Sequence, residues 1–390
     1  MGVPLRYNLR NILVRARTSA FSAGGIALVV AATMLLAALV GGLQRMLVAA
    51  GEPRNLIVMR KGATNDGSSQ LPREAAQILR AMPGVASTPE GTPLASAQLV
   101  NQPFIRVPGG GRENVLVRGV EPIAFRVHDR VQLVEGRIFR PNLGEIVVGR
   151  GAARRYGLRV GSIADFGRRQ WTVVGVFDSG GTAFDSEIWA DVGDVQGDTR
   201  RQGYSAVRLR VAAGIDPSDM IRRIDRDGRF TLEAKPETVY YQQQAETANA
   251  LYVLVLTLAV VMATGATFGA LNTMYAAVSS RTAEIGTLRA LGFGRGAILL
   301  SFLTESLLLA GGGLLAGLVL ALGAMVAVNT LLRGVAFSMM TFSVATVLLE
   351  PTPIGVLLGV GFAAAIGVAG GLGPAWRAAN LRVIEALHRA

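Results

Sequence analysis

Four long windows without a charged residue constrain what this chain can fold into. They cover residues 18–44, 247–280, 306–332 and 352–376. Each exceeds the ~20 residues that a helix needs to cross a hydrocarbon core about 30 Å thick. We therefore predict four transmembrane helices, with bounds at 18–48, 247–280, 297–332 and 351–376. With a rise of about 1.5 Å per residue, the second would be roughly 50 Å long and project beyond the bilayer.

Composition agrees with a membrane chain and excludes several functional classes. Hydrophobic residues make up 51% of the 390 positions, and the mean hydropathy is +0.40. The net charge of +12 arises mainly from arginines beside the apolar windows, which is typical of membrane topology rather than of a nucleic-acid groove. The absence of cysteine excludes disulfides and thiol chemistry. His128 and His388 are the only histidines, and we interpret both as surface residues.

The charges that flank the windows predict the orientation. The first window follows an acid-free segment that contains Arg6, Arg10, Arg15 and Arg17. Arginine also outnumbers acid in 281–296 and 377–390, whereas 333–350 carries only Arg333 and Glu350. The positive-inside rule then places both termini and 281–296 in the cytoplasm, with segment 49–246 and loop 333–350 outside.

The N-terminal segment 1–17 predicts an amphipathic helix along the inner leaflet, with a disordered basic tail as the weaker alternative. Its apolar face would consist of Leu5, Leu9, Ile12 and Leu13. A signal peptide cleaved near Ala50 is disfavoured, because the apolar region is much longer than the usual stretch of about 7–15 residues.

Small residues recur at four-residue spacing inside the windows. The pairs are Gly265/Gly269, Gly313/Gly317, Gly355/Gly359 and Gly367/Gly371. Such pairs let helices approach closely in lipid and predict a packed bundle, within one chain or between chains.

The segment between the first two windows is predicted to be an α+β domain. Strand patterns are NLIVM at 55–59, SAVRLRV at 205–211 and FTLEA at 230–234. Helix patterns lie between them, namely LPREAAQILRAMPGV and DPSDMIRRIDRDG, the second with Asp216 as its cap. Two strand–helix–strand units predict a ferredoxin-like βαβ lobe, interrupted by an inserted β-rich subdomain at about 104–203.

Charged residues of the inserted region raise the question of a catalytic or cation site. The acids lie in DSGGTAFDSEIWADVGD and are Asp178, Asp185, Glu187, Asp191 and Asp194. Their spacing does not match an EF-hand, so a solvated loop beside a short strand is the favoured interpretation. The arginines that could attract an anionic partner are Arg154, Arg155, Arg168 and Arg169.

The connection SSRTAEIGTLRALGFGRG, between the second and third windows, predicts a short cytoplasmic helix. Glu284 suits the positive end of the helix dipole, and Gly292 is a natural C-terminal stop. Apolar residues at every third position predict one ridge, formed by Ile285, Leu288 and Leu291. Such a helix can dock into a protein groove or lie on lipid, and the acid at its start favours docking slightly.

This loop and the helix after it resemble the permeases of MacB-type ABC transporters, a family that includes FtsX division proteins and lipoprotein-releasing permeases. The family pattern R-x-x-E-I-G-x-x-x-A-x-G, followed by F-x-x-E-S, is matched by Arg281, Glu284, Ile285, Gly286, Ala290, Gly292, Phe302, Glu305 and Ser306. The tail PAWRAANLRVIEALHRA is also similar to the family ending, with Val383 in place of a proline and His388 in place of an arginine.

The resemblance implies two permease copies, identical or homologous, and a coupling helix that rests on an ABC ATPase. The implied ATPase-coupling residues are Arg281, Glu284, Ile285, Gly286, Leu288, Arg289, Ala290, Leu291 and Gly292. Neither of the only lysines, Lys61 and Lys235, lies in a Walker A pattern. We therefore expect ATP and Mg²⁺ on a partner ATPase chain, and no cofactor, metal site or catalytic residue on this one. Membrane lipid and a periplasmic adaptor protein are further expected partners, and nucleic acid is not.

The function implied by the resemblance is mechanotransmission at a bacterial inner membrane. ATP hydrolysis by the partner would move long helices and shift the outer domain, which would then export or extract a substrate that the sequence does not identify. Two alternatives remain: an FtsX-like scaffold that activates cell-wall hydrolases, and a substrate-binding sensor of antibiotic resistance. The large outer segment disfavours the first, and the small number of spans disfavours the second.

Glu305 is the one acid inside the predicted third helix. An unpaired carboxylate is costly in a membrane, so it predicts a polar partner on a neighbouring helix. We favour a polar anchor near the inner leaflet, with a proton relay as the alternative.

Overall fold

The computed structural model describes residues 14, 16–108, 110–246, 249–331, 334–339 and 342–381. The amphipathic helix predicted for 1–17 lies almost wholly outside these residues. The tail from 382 onward, with Val383 and His388, lies outside them as well.

Along the described chain, a block of short strands and short helices separates the first long helix from the later ones. The helices are α1 (Ala16–Val48), α2 (Arg73–Arg80), α3 (Ala124–Val127), α4 (Arg150–Tyr156), α5 (Val192–Thr199), α6 (Pro217–Asp225), α7 (Glu237–Glu246), α8 (Asn249–Ser279), α9 (Thr282–Ala290), α10 (Arg295–Leu331) and α11 (Pro353–Ala379). The strands are β1 (Asn55–Arg60), β2 (Ala95–Asn101), β3 (Phe104–Arg106), β4 (Arg112–Asn114), β5 (Val117–Val120), β6 (Gln132–Gly136), β7 (Glu145–Gly149), β8 (Ile163–Phe166), β9 (Arg169–Asp178), β10 (Ile188–Asp191), β11 (Ala206–Arg210), β12 (Leu232–Pro236), β13 (Val335–Met339) and β14 (Phe342–Val347).

These elements form two compact units. The helical unit comprises Met1–Gly42, Asn249–Gly334 and Leu348–Ala390. The sheet unit comprises Leu43–Ala248 and Val335–Val347. The chain therefore passes between the units more than once.

Four helices are long and apolar enough to cross a membrane, and they contain α1, α8, α10 and α11. The start of α11 is fixed by its cap, since the Thr352 hydroxyl accepts a hydrogen bond from the Gly355 N–H at 3.2 Å and proline follows at the first helical position. Four membrane-spanning helices are thus present in the described chain, as the charge-free windows predict.

Three of the four small-residue pairs lie where helices approach closely. A Cβ atom at Gly317 would lie 2.7 Å from the Ala27 carbonyl oxygen of α1, and one at Gly371 would lie 2.5 Å from the Ser306 Cβ of α10. Distances this short leave room only for glycine, so α10 packs against α1 and α11 almost backbone to backbone. The pair on α8 differs, because a Cβ at Gly265 or Gly269 would have no described atom of another element within 4 Å.

The sheet unit is built on one ten-stranded sheet with the order β12-β1-β11-β2-β5-β10-β7-β9-β6, and β8 pairs with β9 off this path. Every neighbouring pair among β12, β1, β11 and β2 is antiparallel. Helix α2 connects β1 to β2, and α6 connects β11 to β12. One face of these strands forms an apolar core with both helices, in which Leu56, Leu79, Leu209, Met220 and Ile224 are buried.

The predicted inserted region contributes β3 to β10 between β2 and β11. Its strand β5 pairs antiparallel with β2 and extends the same sheet. Its own core contains Trp171 stacked on Phe166, with ring centroids 5.3 Å apart. Two apolar cores thus lie along one continuous sheet, and the division into lobe and insert stays a prediction.

The loop predicted at 333–350 contains a β-hairpin. Strands β13 and β14 pair antiparallel, with Val335 opposite Val347. Their sequences, VAFSM and FSVATV, are rich in β-branched and aromatic residues, which favour strands. We did not expect strands here because the segment is short and lies between two apolar windows.

Candidate functional site

The connection between α8 and α10 is a helix, as predicted, and its end has a defined geometry. Beyond α9, Gly292 adopts a left-handed conformation with φ +93°. The Phe293 N–H bonds to the Leu288 carbonyl at 3.1 Å, and the Gly292 N–H bonds to the Arg289 carbonyl at 3.1 Å. This pair of bonds is a Schellman motif, which favours glycine at the left-handed position.

A buried ion pair fixes the start of this helix to α10. The Arg281 Nη1 atom donates to Glu305 Oε2 at 3.0 Å, and its Nε atom donates to Glu284 Oε2 at 3.2 Å. Arg281 and Glu305 are 6% and 4% exposed, and the guanidinium lies 5.3 Å from the centre of the Phe302 ring. The carboxylate inside the third membrane helix therefore has the cationic partner that its burial requires.

The inner side of α9 packs on the helical unit itself. Ile285 is 2% exposed and belongs to a cluster with Met274, Phe302 and Ala375, which lie on three different helices. Gly286 is also buried, and Arg289 Nη1 donates to the Ala379 carbonyl at 3.4 Å. These three residues hold the loop in place and are not on its outer face.

The outer side of α9 presents the remaining predicted residues. Leu291 is 72% exposed, and Leu288 is half-buried. Also exposed are Glu284, Thr287, Ala290 and Gly292. The single ridge that we predicted is divided, because positions three apart are offset by about 60° on a helix with 3.6 residues per turn. Ile285 and Leu291 thus differ by about 120° and face different environments.

The acidic residues of the inserted region do not form a solvated loop. Asp191 caps α5 by accepting from the Gly193 and Asp194 N–H groups, and Glu187 is 2% exposed. Burial raises the pKa of Asp185, whose carboxylate accepts from the Ser179 and Gly181 N–H groups. Within the described ranges no group of three potential metal ligands occurs.

Most of the remaining charged candidates are held by ion pairs. Asp178 pairs with Arg150, and Asp194 pairs with Arg169 at 2.7 Å. Arg155 forms a bidentate pair with Glu113 at 2.6 and 3.1 Å. The other two arginines of this group, Arg154 and Arg168, are exposed. The region therefore provides internal ion pairs rather than a catalytic pair of carboxylates.

Sequence reasoning missed a buried charge cluster. It lies on the face of β12, β1, β11 and β2 that is opposite their apolar core. Its central members are Asp66, Arg118, Glu187, Arg208 and Glu237, each at most 5% exposed. Arg118 donates to Asp66 at 2.8 Å and to both oxygens of Glu187 at 2.6 and 2.7 Å. The alternation in SAVRLRV was the available signal, since its valine and leucine face the apolar core and its arginines face the opposite side.

The pKa values in this cluster shift in opposite directions. Burial tends to raise the pKa of Asp66, but Arg118 and Arg208 lower it below its usual value. Burial raises the pKa of Glu237, and Arg208 opposes the shift. His128 is 1% exposed rather than a surface residue, and burial together with three arginines lowers its pKa well below 6.5. His128 is therefore neutral at pH 7.

Comparison with known families assigns both parts of the chain. Residues 19–227 match the family model of the MacB-like periplasmic core domain. Residues 256–383 match the family model of the FtsX-like permease C-terminal region.

Curated relatives carry the same family name. The chain is similar to the macrolide export ATP-binding/permease protein MacB of Bradyrhizobium diazoefficiens, with 34% identity over 143 residues, covering 37% of this chain and 20% of that protein. The protein of the same name from Bdellovibrio bacteriovorus is 35% identical over 148 residues, covering 37% of this chain and 21% of the relative. The match thus spans about a fifth of the length of these relatives.

Among solved structures, the periplasmic region of MacB from Actinobacillus actinomycetemcomitans superposes with a TM-score of 0.40 and 12% identity. The superposition covers 50% of this chain and 94% of that one.

Proposed function

Because this chain belongs to the family of ABC transporter permeases with a MacB-like periplasmic core domain and an FtsX-like permease domain, we propose that it transmits ATP hydrolysis by a partner ATPase to its own outer domain. The outer domain would then export or extract a substrate. The observation that carries the proposal is the pair of family matches, which lie on either side of the junction between the sheet unit and α8.

The proposed contact with the ATPase is the outer side of α9. Leu291 supplies an exposed apolar side chain, and Glu284 and Thr287 supply polar atoms beside it. This surface is held against the helical unit by two inner residues, Ile285 and Gly286, and by the ion pair Arg281–Glu305. A contact helix braced in this way can transmit force in both directions, whereas a flexible loop would absorb it.

ATP and Mg²⁺ belong to the partner in this proposal. The MacB relatives are named ATP-binding/permease proteins, and the present sequence has no Walker A pattern. We infer that an ATPase partner binds ATP and Mg²⁺, that two permease copies form the membrane part, and that lipid and a periplasmic adaptor are further partners. The proposed orientation places both termini and α9 in the cytoplasm of a bacterial cell and the sheet unit in the periplasm.

Two finer assignments accompany the proposal. The order and antiparallel pairing of β12, β1, β11 and β2, with α2 and α6 as crossovers, support a ferredoxin-like half-sheet. The direct ion pair between Glu305 and Arg281 supports an anchoring role for this carboxylate rather than a proton relay.

Purification of the intact chain from its source membrane tests the proposal. A co-purifying ATPase with vanadate-sensitive activity, which is lost from the complex when Leu291→Asp is introduced, is the expected result. A cell-wall hydrolase in the complex would favour the FtsX-like signalling alternative. Full biological function after replacement of 281–296 by a Gly/Ser linker would contradict the role of α9.

A further inference from the structure

The connection that follows α1 and the connection that precedes α8 meet at one buried carboxylate. The first connection follows α1 and contains Glu52 and Asn55, and the second is α7, which begins at Glu237 and precedes α8 in the sequence. Glu237 Oε2 accepts from the Glu52 N–H at 3.1 Å and from Asn55 Nδ2 at 3.2 Å. Because Glu237 is fully buried, water cannot replace these donors.

Close backbone packing ties the same two segments together. A Cβ atom at Gly51 would lie 2.9 Å from the Thr238 Cα and 3.1 Å from the Glu237 carbonyl carbon. Real Cβ contacts are essentially never shorter than 3.0 Å, so any larger residue at position 51 would push the two segments apart. This contact is independent of the hydrogen bonds of Glu237.

The second oxygen of Glu237 faces the sheet. Its Oε1 atom lies 3.1 Å from Arg208 Nε of β11 and 3.9 Å from His128 Nδ1. The Arg208 contact is an ion pair without an aligned hydrogen bond, since neither atom has a hydrogen-bond partner among the described residues. Arg208 Nη2 lies 3.3 Å from Asp66 Oδ2, and Asp66 in turn accepts from Arg118 at 2.8 Å. A chain of charges thus runs from both connections through β11 to β5 and the inserted region.

We propose that Glu237 is the positioning residue that makes the two membrane connections move as one body and passes their displacement through Arg208 and Arg118 to both halves of the sheet. The inference deepens the proposed function and rests on it. If the connections were independent, a shift of one membrane helix would be absorbed by a change at its own end of the outer domain. With both held by one carboxylate, the same shift must move the whole sheet.

The structure offers two variants that break the junction by different means. Glu237→Gln keeps the shape of the side chain and removes the charge that holds Arg208. Its amide NH₂ must also face either Arg208 or the Glu52 and Asn55 donors, so one of the two contacts becomes a pair of donors. Gly51→Ala leaves every charge in place and separates the segments sterically. A matched control is Glu121→Gln, because Glu121 is also a hydrogen-bonded carboxylate of this sheet unit, accepting from Arg80 and the Ala97 N–H, but it touches neither connection.

Spin labels can measure the junction directly, because the chain has no native cysteine. Labels at the exposed positions Arg54 and Gln243 report the distance between the connections in the full chain in lipid nanodiscs. We expect a narrow distance distribution in the native chain and in Glu121→Gln, and a broad one in Glu237→Gln and Gly51→Ala. Equal, narrow distributions in all four proteins would overturn the inference.

The second measurement uses the complex with the partner ATPase and a label at exposed Arg159 in each permease copy. ATP with vanadate should change the label distance in the native complex and in Glu121→Gln. The change should be lost in both junction variants, while ATP hydrolysis, measured below the unfolding midpoint of every protein, stays near that of the control. A purely structural role would instead lower ATP hydrolysis in step with stability.

The outcomes distinguish failure of the proposed function from failure of the role of Glu237. No nucleotide effect in the native complex would contradict the proposed function, and the label pair at positions 54 and 243 would still decide whether Glu237 joins the connections. A native-like nucleotide effect in both junction variants would overturn the role of Glu237 and leave the proposed function intact.

Discussion

Arg281 and Glu305 illustrate, at the scale of single residues, how a charge is accommodated inside an apolar helix bundle. The pair is almost completely buried, so each charge depends on the other for the stabilisation that water would give. The same pair fixes the first turn of α9. A residue inside a membrane helix thus determines where a surface helix lies.

Glu305→Gln tests this anchoring role. Removal of one charge from a buried pair costs roughly 3–5 kcal/mol, and because Glu284 stays beside Arg281 we expect a loss of about 2 kcal/mol. Thermal unfolding of the purified chain in detergent should show a lower midpoint. The pH dependence of ATP-driven function should be unchanged, and a shifted pH profile at native stability would favour a proton relay instead.

Tyr156 is a residue whose replacement should stabilise the protein. It is 5% exposed in the core of the inserted region, and its hydroxyl has no hydrogen-bond partner among the described residues. Tyr156→Phe removes the cost of that buried group, so we expect a gain of about 1 kcal/mol in the free energy of unfolding. A destabilised variant in chemical denaturation would show that the hydroxyl has a partner, such as a bound water.

The pH dependence of the same substitution has a definite sign. Burial raises the pKa of Tyr156 to about 12, whereas an unfolded tyrosine ionises near 10. The stability tied to the neutral phenol is therefore complete below pH 10 and is lost as pH rises towards 12. The advantage of Tyr156→Phe over the native chain should be constant below pH 10 and increase above it. A constant difference up to pH 12 would contradict this pKa shift.

At the scale of secondary-structure elements, α9 separates residues that hold the loop from residues that a partner can reach. Leu291→Asp changes an exposed side chain, so stability should stay within the small range of surface substitutions. Binding of the ATPase should weaken roughly tenfold or more, equivalent to about 1.4 kcal/mol. Ile285→Asp is the contrasting variant, because it places a charge in the apolar cluster and should lower the unfolding midpoint. Strong ATPase binding by Leu291→Asp would exclude this surface as the contact.

Helix packing provides a matched pair of glycines. Gly317→Leu should disrupt the contact of α10 with α1, since even a Cβ would lie 2.7 Å from the Ala27 carbonyl oxygen. A Cβ at Gly269 on α8 meets no described atom of another element within 4 Å, so Gly269→Leu should leave the fold of one chain unchanged. Circular dichroism melts in detergent compare the two variants. Equal melting temperatures would contradict the close packing of α10.

The sequence could predict elements whose signals are local, and it could not predict contacts between distant segments. The charge-free windows specify the four long helices, and Asp216 with Pro217 marks the start of α6 by capping chemistry. The pairing of β5 with β2, which joins the insert to the first lobe, leaves no periodic signal. The same holds for the cluster around Arg208, whose partners lie far apart in the chain.

At the scale of the whole molecule, the alternation of membrane helices with a large sheet unit sets the topology that the proposed function needs. The sheet unit lies largely within the match to a periplasmic core domain. The proposed orientation places α9 on the opposite side of the membrane. ATP is available only in the cytoplasm, so an ATPase contact on α9 requires this orientation. The proposal would fail if both features were on one side.

The absence of native cysteine makes the orientation directly measurable. Single cysteines at exposed Arg112 in the sheet unit and at exposed Thr287 in α9 should differ in their reaction with a membrane-impermeant maleimide. Arg112→Cys should be labelled in spheroplasts with an intact inner membrane, and Thr287→Cys only after that membrane is permeabilised. Labelling of Thr287→Cys in intact spheroplasts would place α9 outside and contradict its contact with an ATPase. Labelling of neither variant after permeabilisation would indicate that the positions are covered, and a second exposed position in each region, Arg223 and Ala290, then decides the orientation.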